Sequence, residues 1–261
     1  MNAGALELGI LWPAFVAGVL VLATHVPLGI QVLERGIVFI DLAVAQIAGL
    51  GVIAAAALGF PEHGLAVQAA AVCAALAGAA LLTWTEQRAP RYQEALIGAL
   101  FVLAASLGIL LLAHDPRGGE HLQELLAGQI LWVGVPQLAA LAVVTLALLA
   151  AMALGVGRRL GRFGFYAAFA VAVTASVQLV GVYLVFTSLI VPALGTVRRQ
   201  GRSRLLAGFT LGVAGYAGGL MLSALFDLPT GPTIVCVLVA AALASFGVDR
   251  PHAAGKHAAA D

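Results

Sequence analysis

Asp41 is a lone carboxylate in RGIVFIDLAVAQ, a stretch whose other polar residues are Arg35 and Gln46. An ionised aspartate at the centre of a membrane helix costs about 2.5–3.5 kcal/mol on insertion scales, so such an acid faces a water-filled cavity or a partner. Asp41 lies only a turn or two from Arg35, where that cost is lower. Three uses of the carboxylate compete: a station on a cation's route, a salt bridge to an arginine such as Arg35, and a protonated, hydrogen-bonded structural acid. His25, next to Pro27, is a second buried titratable candidate, either on such a route or as a satisfied core side chain. Glu62, His63, His114, Asp115, Glu120 and His121 form a further set of nitrogen and oxygen donors, all in connecting segments. Loop solvation explains them; a ligand role would require His114 and His121 to converge.

Other chemistries lack their residues. The chain has no GxSxG elbow, no HExxH, no CxxC pair and no GxxxxGK[ST] phosphate loop. Uphill movement of any cargo would therefore draw on an ion gradient or on a partner that hydrolyses ATP. Cys73 and Cys236 fall inside apolar runs without ligand-spaced partners and read as small buried hydrophobes.

The elements that position these residues follow from composition. Hydrophobic residues make up 62% and charged residues 10% of 261, with a mean hydropathy of +1.05. That leaves too little polar surface to cover a soluble globule. Apolar runs approach the roughly 20 residues a helix needs to cross a bilayer, without the alternation of a barrel strand. An all-α, polytopic transmembrane bundle of about eight or nine segments is predicted, with one short or broken pair. A net charge of +1 and the lack of a basic run argue against nucleic acid as a partner. The start, MNAGALELGILWPAF, has no Lys or Arg ahead of its apolar run and reads as a first span, not a removable signal.

Spans are expected near 8–33, 37–59, 65–84, 94–113 and 136–156, with GEHLQELLAGQILWVG as an interfacial or re-entrant helix. Residues 163–197 form one run too long for a single upright span. A single crossing would put Arg158, Arg159 and Arg162 opposite Arg198, Arg199, Arg202 and Arg204, against the positive-inside rule. Two short segments, broken at Gly181 or Pro192, keep both clusters on one side. The last spans fall near 203–225 and 231–247. This gives a single membrane domain, 1–247, with the N-terminus outside, and a disordered cytoplasmic tail, 248–261. In the next-to-last span Gly208, Gly212, Gly215 and Gly219 share one helical face, which a neighbouring backbone can approach closely.

Several ordered motifs carry a resemblance. VGVYLVFTSLIVPA, ending in Pro192 and Ala193, and the turn Asp227-x-Pro229-x-Gly231-Pro232 are the most specific. Pro27-Leu28-Gly29 near Arg35, Glu94-Ala-Leu-Ile-Gly98, and the stretch from Leu122 to Leu138 around Gly128 accompany them. Together they resemble the integral-membrane permease subunits of bacterial ABC importers for zinc, manganese and iron, over nearly the whole chain. The resemblance implies a multi-pass protein of the bacterial inner membrane, working as a homodimer or paired permease. It would act with two cytoplasmic ATPase subunits and an extracytoplasmic binding protein that delivers the metal. No cofactor would be bound permanently; the cation is cargo and the ATP is hydrolysed by the partner. The chain would be a transport subunit and not an enzyme. A self-sufficient secondary cation transporter or channel, using Asp41, is the alternative.

Two departures from the family pattern matter. The family's Asp and His, four residues apart in the second span, suit Zn or Mn. Here Gln46 stands at the histidine's place and Asp41 five residues before it. At 100° per residue those two differ by about 140°, so they share no face of a regular helix. The loss of imidazole weakens the case for zinc, since oxygen donors suit harder ions. The family's longer acidic ATPase-docking segment is reduced here to GVGRRLGRFGF. Coupling would fall to Arg158, Arg159 and Arg162, or to Arg198 and Arg199; both clusters could equally anchor the membrane face. In the Asp227 turn, the prolines would fix backbone angles, Gly231 would permit positive φ and Asp227 would bond local amides.

Overall fold

The computed structural model describes residues 8–61, 64–113, 115 and 118–248. Helices α1 (Leu8–Arg35), α2 (Ile40–Ala57), α3 (Leu65–Arg88) and α4 (Gln93–Leu112) follow one another in the first half of the chain. A ten-residue helix α5 (Gly118–Ala127) precedes α6 (Val135–Ala153), and a one-turn helix α7 (Val156–Arg159) leads into α8 (Gly161–Val180). The chain closes with α9 (Val182–Gly195), α10 (Gly201–Phe226) and α11 (Thr230–Val248). Among the described residues seven helices are long and apolar enough to cross a membrane, and two shorter apolar helices, Val182–Gly195 and Thr230–Ser245, accompany them. The protein is an all-helical, polytopic bundle.

The apolar run at 163–197 is broken at Gly181, not at Pro192. Gly181 has φ +80°, a conformation that a Cβ disfavours, whereas Pro192 lies within α9. The result is one full-length helix and one short partner. At 1.5 Å per residue the 14 residues of α9 rise about 21 Å, against roughly 30 Å of hydrocarbon. The gap is filled by the segment after α5. Gly128, at φ +70°, lies against the backbone of Val180 and Gly181 so closely that neither glycine has room for a Cβ. The Gln129 N–H donates to Leu179 O at 3.3 Å, satisfying a carbonyl that the end of α8 leaves open. The segment 118–134 thus rests on the α8–α9 break.

The glycine face of α10 is filled from within the same chain. Leu22 and Val26 of α1 cover Gly212 and Gly208, and Leu238 and Ile234 of α11 cover Gly215 and Gly219. Gly29 meets Leu189 O of α9 with no space for a side chain, so the Pro27-Leu28-Gly29 motif and VGVYLVFTSLIVPA pack on each other. In a bilayer, close backbone approach of this kind replaces the hydrophobic drive that water would supply. Cys73 and Cys236, expected to be buried, are exposed instead. Each is on an outward face, where lipid takes the place of core and an apolar thiol is equally at home.

Ion pairs and hydrogen bonds gather alternate helix ends at one end of the bundle. Arg35 of α1 and Arg162 of α8 both approach Glu86 of α3, and Arg204 of α10 donates to Glu34 of α1 at 2.9 Å. Phe39 N–H, at the start of α2, donates to Glu94 of α4 at 3.2 Å, and Ser245 of α11 donates to Gly195 O of α9 at 2.9 Å. Arg162 and Arg204, which flank the α8–α9 pair, therefore lie at the same end. That is the arrangement charge demanded of two crossings.

Candidate cation route and coupling surface

Asp41 occupies the first turn of α2 and is 0% exposed. Neither carboxylate oxygen has a hydrogen-bond partner among the described residues. Arg35 does not pair with it: the guanidinium lies 3.8 Å from Glu86 and 4.1 Å from the ring centroid of Phe165. A buried polar atom left without a partner forfeits about 1–3 kcal/mol, more when charged, so native proteins keep few of them. Gln46 is half-buried five residues further along α2, and the helix runs unbroken from Ile40 to Ala57. With no kink, the two side chains project in different directions and form no pair.

His25 is also fully buried, yet it is satisfied. Nδ1 lies 2.9 Å from Val21 O and Nε2 3.2 Å from Ser176 Oγ. A carbonyl only accepts, so the Val21 contact places a proton on Nδ1, while the Ser176 hydroxyl, whose one proton is shared among Nε2, Ala172 O at 2.9 Å and Val173 O at 3.1 Å, meets the other ring nitrogen. The imidazole thus ties α1 to α8. Among the described residues no group of three or more His, Cys, Asp or Glu is arranged to hold a metal ion.

The outer donor set is only partly visible. Glu62, His63 and His114 lie outside the described residues, as do the side chains of Glu120 and His121 in α5. Asp115 is exposed, with its backbone N–H donating to Leu112 O at 3.0 Å.

At the Asp227 turn two expectations are corrected. Asp227 is left-handed at φ 53°, ending α10, while Gly231 is absent from the positive-φ glycines; its need is space, because a Cβ would come within 2.8 Å of Ala127 O. The side-chain bonds that hold the turn come from Ser223, whose hydroxyl lies 2.7 Å from both Leu228 O and Thr230 Oγ1. Pro229 O accepts from Thr233 N–H at 3.1 Å, and Pro232 lies in the first turn of α11. Sequence reading passed over Ser223, though Ser seven residues before Thr, on either side of the Asp227-Leu-Pro229 turn, was a usable signal.

The arginine clusters occupy two short connections. Helix α7 carries Arg158, whose side chain is outside the described residues, and the exposed Arg159, beside exposed Leu154 and Leu160. Arg162 opens α8. Arg198 and Arg199 are exposed in the turn after α9, where Arg199 N–H donates to Thr196 O at 3.0 Å. A sequence profile matches residues 7–156 and again 141–249, which is most of the chain. The protein belongs to the ABC 3 transport family. Members are transport permease subunits, and this chain is accordingly a multi-pass membrane protein of that class. The structure of PsaBC from Streptococcus pneumoniae in complex with Fab aligns with a TM-score of 0.76 at 20% identity, over 94% of this chain and 95% of that one. A second structure, described as an inward-facing metal-chelate type ABC transporter, aligns with a TM-score of 0.64 at 18% identity, over 91% and 84%. At such identities the likeness speaks for the fold of an ABC 3 permease, and cargo must be argued from the side chains.

Proposed function

We propose that this ABC 3 family chain is the permease subunit of an ATP-driven importer for a divalent metal cation, zinc or manganese. A homodimer would work with two cytoplasmic ATPase subunits and an extracytoplasmic binding protein. The observation that carries the reading is Asp41, a wholly buried carboxylate without a partner, inside a transport permease. A neighbour in fold described as of metal-chelate type adds support for metal as cargo. Asp41 supplies oxygen donors, which suit manganese or another hard ion better than zinc.

In this reading the cation enters from the binding protein and passes Asp41 as the inner end of the bundle opens. ATP-driven closure of the partner subunits acts through the arginine-bearing connections. By the positive-inside rule the end with Arg35, Arg88, Arg91, Arg162 and Arg204 faces the cytoplasm, so the N-terminus lies outside and the C-terminus inside. Helix α7, flanked by exposed Leu154 and Leu160 and carrying exposed Arg159, offers a mixed apolar and basic surface for the ATPase.

The same unpaired Asp41 would serve a self-sufficient secondary transporter, with a proton or sodium ion as its guest. Uptake of zinc and manganese radioisotopes into proteoliposomes holding the permease, its ATPase and its binding protein separates the two. Uptake that requires ATP is the expected result; equal uptake without ATP would favour the secondary transporter, and none in any condition would remove both.

A further inference from the structure

We propose that Glu86 is a positioning residue of the transport cycle, the carboxylate through which movement of the α7–α8 segment reaches the end of α1 and the start of α2. The inference rests on the ATP-driven reading above. Glu86 lies near the end of α3 with its side chain 19% exposed, and its two oxygens address two different helices. Oε1 is 3.8 Å from Arg35 Nη1 on α1, and Oε2 is 3.9 Å from Arg162 Nε on α8. Oε2 is buried with no hydrogen bond of ordinary geometry, and the Tyr166 hydroxyl of α8 also acts on the Glu86 carboxylate.

Arg35 has a second partner on the same helix as Arg162. Its guanidinium sits over the Phe165 ring at 4.1 Å, and Phe165 is one turn along α8 from Arg162. A shift of the first turn of α8 therefore displaces a direct partner of Arg35, the Phe165 ring, and one it reaches through Glu86. Arg35 ends α1, and the short connection that follows leads into α2, whose first turn carries Asp41. Contact thus runs from the coupling segment, through Glu86 and Phe165, to Arg35 and then along the backbone to the unpaired carboxylate.

Strength decides between an anchor and a relay. At 3.8 and 3.9 Å, and with the arginine side chains 34% and 57% exposed, both pairs are long and partly solvated, which suits contacts that exchange in every cycle. A fixed clamp stands beside them. Gln93 of α4 donates to Leu82 O of α3 at 3.0 Å and to Tyr166 Oη of α8 at 3.1 Å, and accepts from Thr85 at 3.0 Å. Those buried bonds hold α3, α4 and α8 together whichever arginine Glu86 favours. A simple anchor resembles Arg204, which has Glu34 at 2.9 Å; Glu86 is instead shared between two helices at longer range.

The test measures isotope uptake and ATP hydrolysis in the same proteoliposomes of the full complex, for wild type, Glu86→Gln, Arg162→Gln and the double variant. Each single variant is expected to assemble and hydrolyse ATP while uptake per ATP falls about five-fold or more, the scale of a coupling between sites. The double variant is expected to be no worse than Glu86→Gln alone, because that substitution already removes the Arg162 contact along with the Arg35 one. A wild-type ratio in both singles, or losses that multiply in the double, would overturn the relay. Should Glu86→Gln not assemble, Arg162→Gln, whose side chain is 57% exposed, decides together with its affinity for the ATPase: a lowered ratio at wild-type ATPase affinity supports the relay, and an unchanged ratio, or one lowered only as far as ATPase binding is weakened, overturns it. Wild type without ATP-dependent uptake would defeat the transport reading and the relay with it, whereas an active wild type beside unaltered variants defeats the relay only.

Discussion

Two buried titratable residues have opposite surroundings. Replacing His25 with Ala strips Ser176 of a partner and unties α1 from α8, which should lower stability by about 1–3 kcal/mol. The expected outcome is a lower thermal midpoint in detergent with ATP-driven uptake per folded molecule intact; lost uptake at normal stability would return His25 to the cation's route. Sequence reading could mark both His25 and Asp41 as buried, since residue type and apolar surroundings suffice for that. It could not tell the satisfied one from the unsatisfied one, because the partner that decides, Ser176, is 151 residues away from His25. The same blindness hid Glu86, which reads in sequence as one more acid in a polar turn.

The elements were more legible than their joints. Span positions follow from apolar run length, and the non-crossing segment after residue 118 follows from its being too short and too polar to cross. The break in the long run had two candidates, and only packing chose between them: Gly181 must meet Gly128 backbone to backbone, whereas proline is tolerated in a membrane helix when neighbours satisfy the freed carbonyl. Gly181→Ala should therefore destabilise by about 1–3 kcal/mol or more, from positive φ and from collision with Gly128 together. Gly98→Ala is the control, because a Cβ there meets nothing within 4 Å, and it should leave stability unchanged or raise it by about 0.5–1 kcal/mol. Thermal midpoints of the two variants check this, and equal midpoints would show that the glycine contact does not hold the break.

At the scale of the whole molecule, charge carried more information than any motif. Arginines on both sides of a 35-residue run required an even number of crossings, and Arg162 and Arg204 do share one end of the bundle with Arg35, Glu34 and Glu86. The family motifs, by contrast, proved to be packing surfaces: Gly29 on α9, Gly128 on Gly181, Gly231 on Ala127. In a background with Cys73 and Cys236 replaced by Ser, Arg91→Cys and Asp227→Cys should react with an impermeant maleimide from opposite faces of sealed vesicles. Labelling from the same face would break the topology. The most direct test of the account compares ATP-driven manganese and zinc uptake by wild type and Asp41→Ala in the reconstituted complex. Assembly and ATP hydrolysis retained with uptake abolished is the predicted result; uptake at the wild-type rate would contradict it and leave the buried carboxylate without a part in transport.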